Sequence, residues 1–340
     1  MMKFGKIAPS ILLVVLIIFP LVVESDYYRH LFILALMWVV IGTAWNLIAG
    51  YTGQVSFGDA AFFGTGAYTA GLINYHLGWS AWWGLILGGV TAALVALPFG
   101  WICFRLRGAY FALATLALNE VFRHGATIWE SFTEGMVGIM ILQTFISKLP
   151  YYYIALALAV TTIIIVELVM KSKLGYYFVS IREDQDAAES LGVNTTFYKM
   201  ISLGIAAALT GIAGGLYMNY MGFIDPEVVF SLHDISIMAI LVGIVGGVGT
   251  IYGPAVGAFI MVIVQEIFRT GGFGIITSVA EWTGSDFVMT IAEYVTRAHV
   301  LGFGVLVVLV IRYMPNGVVG DWHRFVDAVM RRMPGKKAQE

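Results

Sequence analysis

The sequence has little charge, almost no thiol and no nucleotide-binding signature. Cys103 is the only cysteine among 340 residues, which excludes an internal disulfide framework and a cysteine-built metal cluster. Flanked by an apolar run and Arg105, it reads as a small core residue. Charged residues are 12% of the chain, against about a quarter in a soluble domain. A net charge of -2 excludes the basic footprint of a nucleic-acid binder. The Gly-Lys pairs at Gly5 and Gly335 are followed by neither Ser nor Thr, so G-x-x-x-x-G-K-[ST] is missing and no phosphate cradle of that kind is present. His30, His76, His124, His233, His299 and His323 lie mostly near the ends of apolar runs or in loops, without H-E-x-x-H or other ligand spacing. No nucleophile with a neighbouring base appears at membrane depth, which argues against an embedded enzyme.

What is present is apolar. Hydrophobic residues are 59% of the chain and the mean hydropathy is +0.86, the composition of a polytopic membrane protein. The chain reads as one membrane domain over 1–340. Because a spanning helix needs about 20 apolar residues, the runs predict an all-α fold of about ten transmembrane helices, near 7–23, 31–49, 57–76, 81–101, 109–128, 151–170, 200–220, 235–248, 251–268 and 300–314. Trp79, Trp82, Trp83 and Tyr151 to Tyr153 fall where spans begin or end, as an aromatic belt does. With an inner amino terminus, fourteen of the 19 Lys and Arg residues fall on inner segments, leaving Arg29, Arg123, Lys148, Arg269 and Arg297 outside. An excess of positive charge marks the cytoplasmic side, so both termini are expected there. The first 25 residues also resemble a secretory signal, with Lys3 and Lys6 before an apolar stretch and Ser25 after it, although Pro20, Glu24 and Asp26 suit a retained span equally.

Lys171 to Lys199, "KSKLGYYFVSIREDQDAAESLGVNTTFYK", is the longest inner segment and the most charged internal one. Within it "REDQDAAESLG" predicts a short helix with Ala187, Ala188 and Leu191 on one face, Asp184, Asp186 and Glu189 elsewhere, and Gly192 as a left-handed stop. An ordinary solvated connector would also fit that composition.

The spacing of Asp186, Ala187, Ala188 and Gly192 resembles the E-A-A-x-x-x-G loop of bacterial ABC import permeases, with Asp for the usual Glu and no I-x-L-P tail. The stretch from Trp45, "WNLIAGYTGQVSFGDAAFFGTGAY", is similar to the signature of the LivM-type branched-chain amino acid permeases. Four further segments match in order, beginning at Arg105, Ser180, Ile240 and Val300. Three positions depart from the family pattern. Asp59 stands where His is common, "TEGMVGI" from Thr133 where TGGxxGI is usual, and Tyr176 where Arg often follows the glycine.

The resemblance implies a type II-like ABC importer permease of the bacterial inner membrane, for branched-chain amino acids or related small polar solutes. It implies a second homologous permease, two ATP-hydrolysing subunits and a periplasmic substrate-binding protein as partners. The chain then needs no cofactor of its own, because ATP is hydrolysed by the partner subunits. It also makes Lys171 to Lys199 a cytoplasmic coupling loop, with Asp186, Ala187, Ala188, Glu189, Leu191 and Gly192 seated on an ATPase.

Glycines let membrane helices approach closely, which accounts for Gly53, Gly58, Gly64, Gly66 and Gly71 one by one. They also cluster between spans, at Gly50, Gly53 and Gly58 and again at Gly243, Gly246, Gly247, Gly249 and Gly253. By analogy with secondary transporters, paired glycine-broken segments point to a transport path. Gln54, Ser56 and Asp59 follow one break and are candidates to line that path with Gly53, Gly58, Gly246, Gly247 and Gly249; the alternative for Asp59 is a cap on the third span. Glu120 with Arg123, and Glu266 with Arg269, have the spacing of neutralising pairs. Ser285 to His299 places Val288, Ile291, Ala292 and Val295 on one face of an interfacial helix. A competing class, an ion-coupled secondary carrier, would use the broken spans but leave the D-A-A-x-x-x-G loop without a purpose.

Overall fold

The computed structural model describes residues 4–269 and 317–321 and the single positions 304, 308 and 312. The segment 285–299 and most of the expected span at 300–314 lie outside the described residues.

Helices form over the apolar runs and between some of them: α1 Phe4–Val22, α2 Asp26–Thr52, α3 Asp59–Leu77, α4 Trp83–Cys103, α5 Ala109–Ile128, the short α6 Glu130–Thr133, α7 Lys148–Lys171, α8 Lys173–Glu183, α9 Gln185–Ser190, α10 Thr195–Met221, the short α11 Pro226–Val229, α12 Met238–Gly246 and α13 Gly253–Arg269. Of these, α6, α8, α9 and α11 lie between the runs. Gly53 and Gly222, both left-handed, end α2 and α10, while Ser147 and Asn194 side chains cap α7 and α10 by accepting from Leu149 and Phe197 amides.

Among the described residues, five helical runs are long and apolar enough to cross a membrane: α2, α4, α7, α10 and Pro226–Gly246. The expected count of ten goes beyond these five. The polar side chains of α3 and α5 explain why those helices are less apolar, and many are satisfied inside the protein. Thr65 donates to the Ala61 carbonyl at 2.7 Å and Asn119 to the Phe230 carbonyl at 2.9 Å. The expected span at 235–248 is not one regular helix, because a π turn at Leu232–Ile237 precedes α12. The fold is otherwise all-α; the only strand pairing among the described residues is the ribbon Ile139↔Ile224 and Met140↔Phe223.

Two helices organise the bundle. α10 packs on α2, α3 and α4, and α2 packs also on α7, α12 and α13. The apolar window of α2 is 78% buried, against 28% for α4 and for α7, so α2 is an interior helix while α4 and α7 present broad outer faces. Three backbones meet where α3, α4 and α10 cross. A Cβ on Gly66 would stand 2.0 Å from the Gly211 carbonyl oxygen, and one on Gly211 2.5 Å from that of Gly88. No larger residue fits that crossing, which is the close approach expected of small residues between membrane helices.

The stretch 171–199, expected as a loop with one short helix, holds two, α8 and α9. α8 forms because Gly175, Phe178 and Ile181, three residues apart, are buried against the bundle. The single apolar face expected for Ala187, Ala188 and Leu191 is divided. Ala188 is buried at 4% exposure and Leu191 is 86% exposed. α9 stops at Ser190 and Gly192 turns left-handed at φ +87°, so Leu191 leaves the helical face and points outward.

Candidate coupling site

α9 is fixed from three directions. Asp184 caps its amino end, accepting from the Ala187 amide at 3.0 Å. Arg107, between α4 and α5, pairs with Asp186 at 2.6 Å and Glu189 at 3.6 Å. The buried Lys199 of α10 donates to Gln185 Oε1 at 2.6 Å, and Glu189 accepts from Thr195 at 2.5 Å and Gln185 at 2.9 Å. These bonds from Thr195 and Gln185 hold the Glu189 carboxyl below its usual range, helped by the Arg107 and Lys199 charges. The bond to Asp186 likewise raises Arg107. The outcome is a six-residue helix with its own surface free and its base tied to α10 and the α4–α5 connection. Leu191, Tyr176 and Phe197 are exposed around it.

The two glycine clusters, some 200 residues apart in sequence, meet beside this loop. A Cβ on Gly50 would lie 2.6 Å from the Gly249 amide nitrogen, so the α2 end and the α12–α13 turn touch through their backbones. Asn46 binds the turn with both ends of its amide, accepting from the Gly249 amide and donating to the Thr250 carbonyl, each at 2.8 Å. Gly247 and Gly249 have φ of +128° and +74°, conformations that favour glycine. Gly246 packs on the Gly253 carbonyl, where a Cβ would come within 1.9 Å.

The candidate path residues divide. Gln54 is half-buried, its amide 3.3 Å from the Thr52 carbonyl. Ser56 and Asp59 are buried within the chain, at 1% and 3% exposure. Ser56 Oγ accepts from the Gly58 amide at 3.1 Å, and its carbonyl accepts from Trp45 Nε1 at 3.0 Å. Gly58, not Asp59, occupies the cap position of α3. Asp59 is the first helical residue, at the positive end of the helix dipole, and its Oδ2 has no hydrogen-bond partner among the described residues.

Of the two expected ion pairs, Arg123 binds Glu120 at 2.7 Å and also Glu227 at 2.5 Å, a partner the i,i+3 spacing could not reveal. Glu266 receives the Tyr27 hydroxyl, and the Arg269 side chain lies outside the described residues. Sequence reasoning missed Asn46, Arg107 and Lys199 as site residues. Asn46 was accessible to the rule that singled out Asp59, a polar group at membrane depth; the two cations had entered only as topology markers. No group of His, Cys, Asp or Glu among the described residues could hold a metal.

Long apolar helices and an interior packed through glycines define a multi-pass membrane protein. The chain belongs to the family described as "Branched-chain amino acid transport system / permease component", whose profile matches residues 27–310. It is similar to the high-affinity branched-chain amino acid transport system permease protein LivM of Salmonella typhimurium, 27% identical over 288 residues, 76% of this chain and 67% of that protein. The LivM of Escherichia coli K12 is 28% identical over 266 residues, 69% of this chain and 62% of that protein. LivH of Salmonella typhimurium is 25% identical over 315 residues, 83% of this chain and 93% of that protein. The chain spans about two thirds of the length of these LivM relatives. No solved structure matches it.

Proposed function

We propose that this chain is a membrane-spanning subunit of an ATP-driven importer of branched-chain amino acids or related small polar solutes. It works with a homologous second permease, two ATPase subunits and a substrate-binding protein, in a bacterial inner membrane, with ten spans and both termini in the cytoplasm. The observation that carries this reading is α9. A helix of six residues adds little stability of its own, yet five side chains, Arg107, Asp184, Gln185, Thr195 and Lys199, fix it. Its adjoining Leu191 is left 86% exposed. Such a helix suits a contact with another protein, and the resemblance of the D-A-A-x-x-x-G spacing to the coupling loop of ABC import permeases supports an ATPase as that protein. Asp186, Ala187, Glu189, Leu191 and Gly192 supply the contact, and Ala188 seats α9 on its own bundle. Gln54, Ser56, Asp59, Gly53, Gly58, Gly246, Gly247 and Gly249 form the adjoining end of the path, with Ser56 and Asp59 becoming accessible when the glycine turns open.

The test is a disulfide or bifunctional cross-link from Leu191→Cys to a cysteine in the ATPase groove of the assembled complex. A cross-link that forms in the membrane and changes yield with ATP supports the seating. Absence of any cross-link from positions 186–192, in a complex that still hydrolyses ATP, refutes it.

A further inference from the structure

One side chain touches both glycine turns. Arg182, in the last turn of α8, donates from Nη1 to the Gly50 carbonyl at 3.0 Å. Its Cγ is 3.2 Å from where a Cβ on Gly53 would stand, and its Nη1 3.1 Å from where one on Gly249 would stand. The remaining face of the guanidinium goes to Glu183, from Nε at 3.1 Å and Nη2 at 2.6 Å. Asn46 closes the arrangement from the other side through its two bonds to the 249–250 backbone.

The chemistry of these contacts is that of helix ends. The Gly50 carbonyl is among the last four of α2, which have no partner inside the helix. A cation suits the negative end of a helix dipole, and here the guanidinium binds a carbonyl at the end of α2 and lies beside the turn that follows α12. A planar fork can bind the carbonyl and the carboxylate together, which a lysine cannot. Asp184, two residues on, is the cap of α9, so α9 and the guanidinium are joined by one short, capped stretch of backbone. The backbone that Arg182 grips turns at left-handed glycines, Gly53 at φ +70° and Gly249 at φ +74°.

We infer that Arg182 is the positioning residue that carries a displacement of α9 to the ends of α2 and α12, clasping the two glycine turns in one state and releasing them in the other. This rests on the reading that α9 seats on an ATPase subunit, and the experiment separates the two.

Val55, 46% exposed in the turn that joins α2 to α3, serves as reporter. In the whole complex carrying Cys103→Ser and Val55→Cys, the rate of thiol labelling is measured without nucleotide and with ATP plus vanadate, a comparison that needs no transported solute. With Arg182 in place the two rates should differ about fivefold or more, the low end of ordinary coupling between sites. In Arg182→Gln the ratio should fall to about 1 while the Leu191→Cys cross-link to the ATPase persists. If Arg182→Gln does not assemble, Arg182→Lys, which keeps the charge but loses the fork, should assemble and give less than half the ratio. A full ratio in either assembled variant, or no nucleotide effect with Arg182 intact, overturns the clasp. Loss of the cross-link with Arg182 intact overturns the seating of α9 instead.

Discussion

At the scale of single residues, exposure separates two kinds of contribution. Leu191 touches little of its own chain, so Leu191→Asp should change stability by no more than about 0.5 kcal/mol. It should nonetheless weaken ATPase docking by about 2 kcal/mol or more, as loss of an apolar anchor does; pull-down of the ATPase against thermal unfolding of the permease measures the difference. Glu134 is the one described non-glycine residue with positive φ, +59°, where the family pattern has glycine. The left-handed backbone costs a side-chain-bearing residue roughly 1–2 kcal/mol, so Glu134→Gly should raise thermal stability by about 1 kcal/mol, read as a shift in the unfolding midpoint. Glu189 gives a pH dependence whose sign is fixed. Its folded pKa lies below the ordinary 4.5, so its stabilisation of α9 is fully present above that pH and is lost as pH falls through the lower folded value. Hydrogen exchange, corrected for its intrinsic pH dependence, should show α9 amide protection constant from neutral pH to about 5 and declining only in more acid solution. Loss of protection between pH 7 and 6 would contradict that assignment.

At the scale of elements, glycine was legible as a residue type and only partly legible in its role. Gly66 reads correctly as a helix-packing position, set against the Gly211 backbone, because small residues in an apolar run have few other uses. A run of glycines does not say which distant run it meets, however. That Gly50 abuts Gly249 is a fact of the α2–α12 crossing and has no local signature. The helix α9 was legible from Ala187 and Ala188 among acidic residues and from Gly192 as stop, whereas the capping role of Asp184 and the direction of Leu191 were not, since a helix of six residues ends before its periodicity can govern the next side chain. Asp59 reads in the sequence as either a path residue or a cap on the third span, because sequence shows polarity and not enclosure; the fold buries it at 3% exposure and puts Gly58 in the cap position. Gly211 tests the element-scale account. Gly211→Leu would push side-chain atoms into the Gly88 backbone and Ala92, and overpacking costs typically about 1–3 kcal/mol, more where backbone cannot yield. The α3–α4–α10 crossing should open, with a fall in the folded yield in detergent. Wild-type yield and unfolding temperature would refute the crossing.

For the whole molecule, composition and charge bias made the membrane class readable at once, and ordered family motifs made the permease family readable. Packing partners and the clasp at the bundle end needed three dimensions, because Arg182, Asn46 and Gly249 come from α8, α2 and the α12–α13 turn. The central claim is that the chain moves solute only as part of an ATP-driven complex. Uptake of radiolabelled leucine into proteoliposomes tests it most directly, with the chain alone under an imposed proton or sodium gradient and with the second permease, both ATPases and the binding protein plus ATP. The account predicts no uptake by the chain alone and ATP-dependent accumulation by the full set, abolished by Leu191→Asp. Gradient-driven accumulation by the chain alone would contradict it and make the protein a secondary carrier.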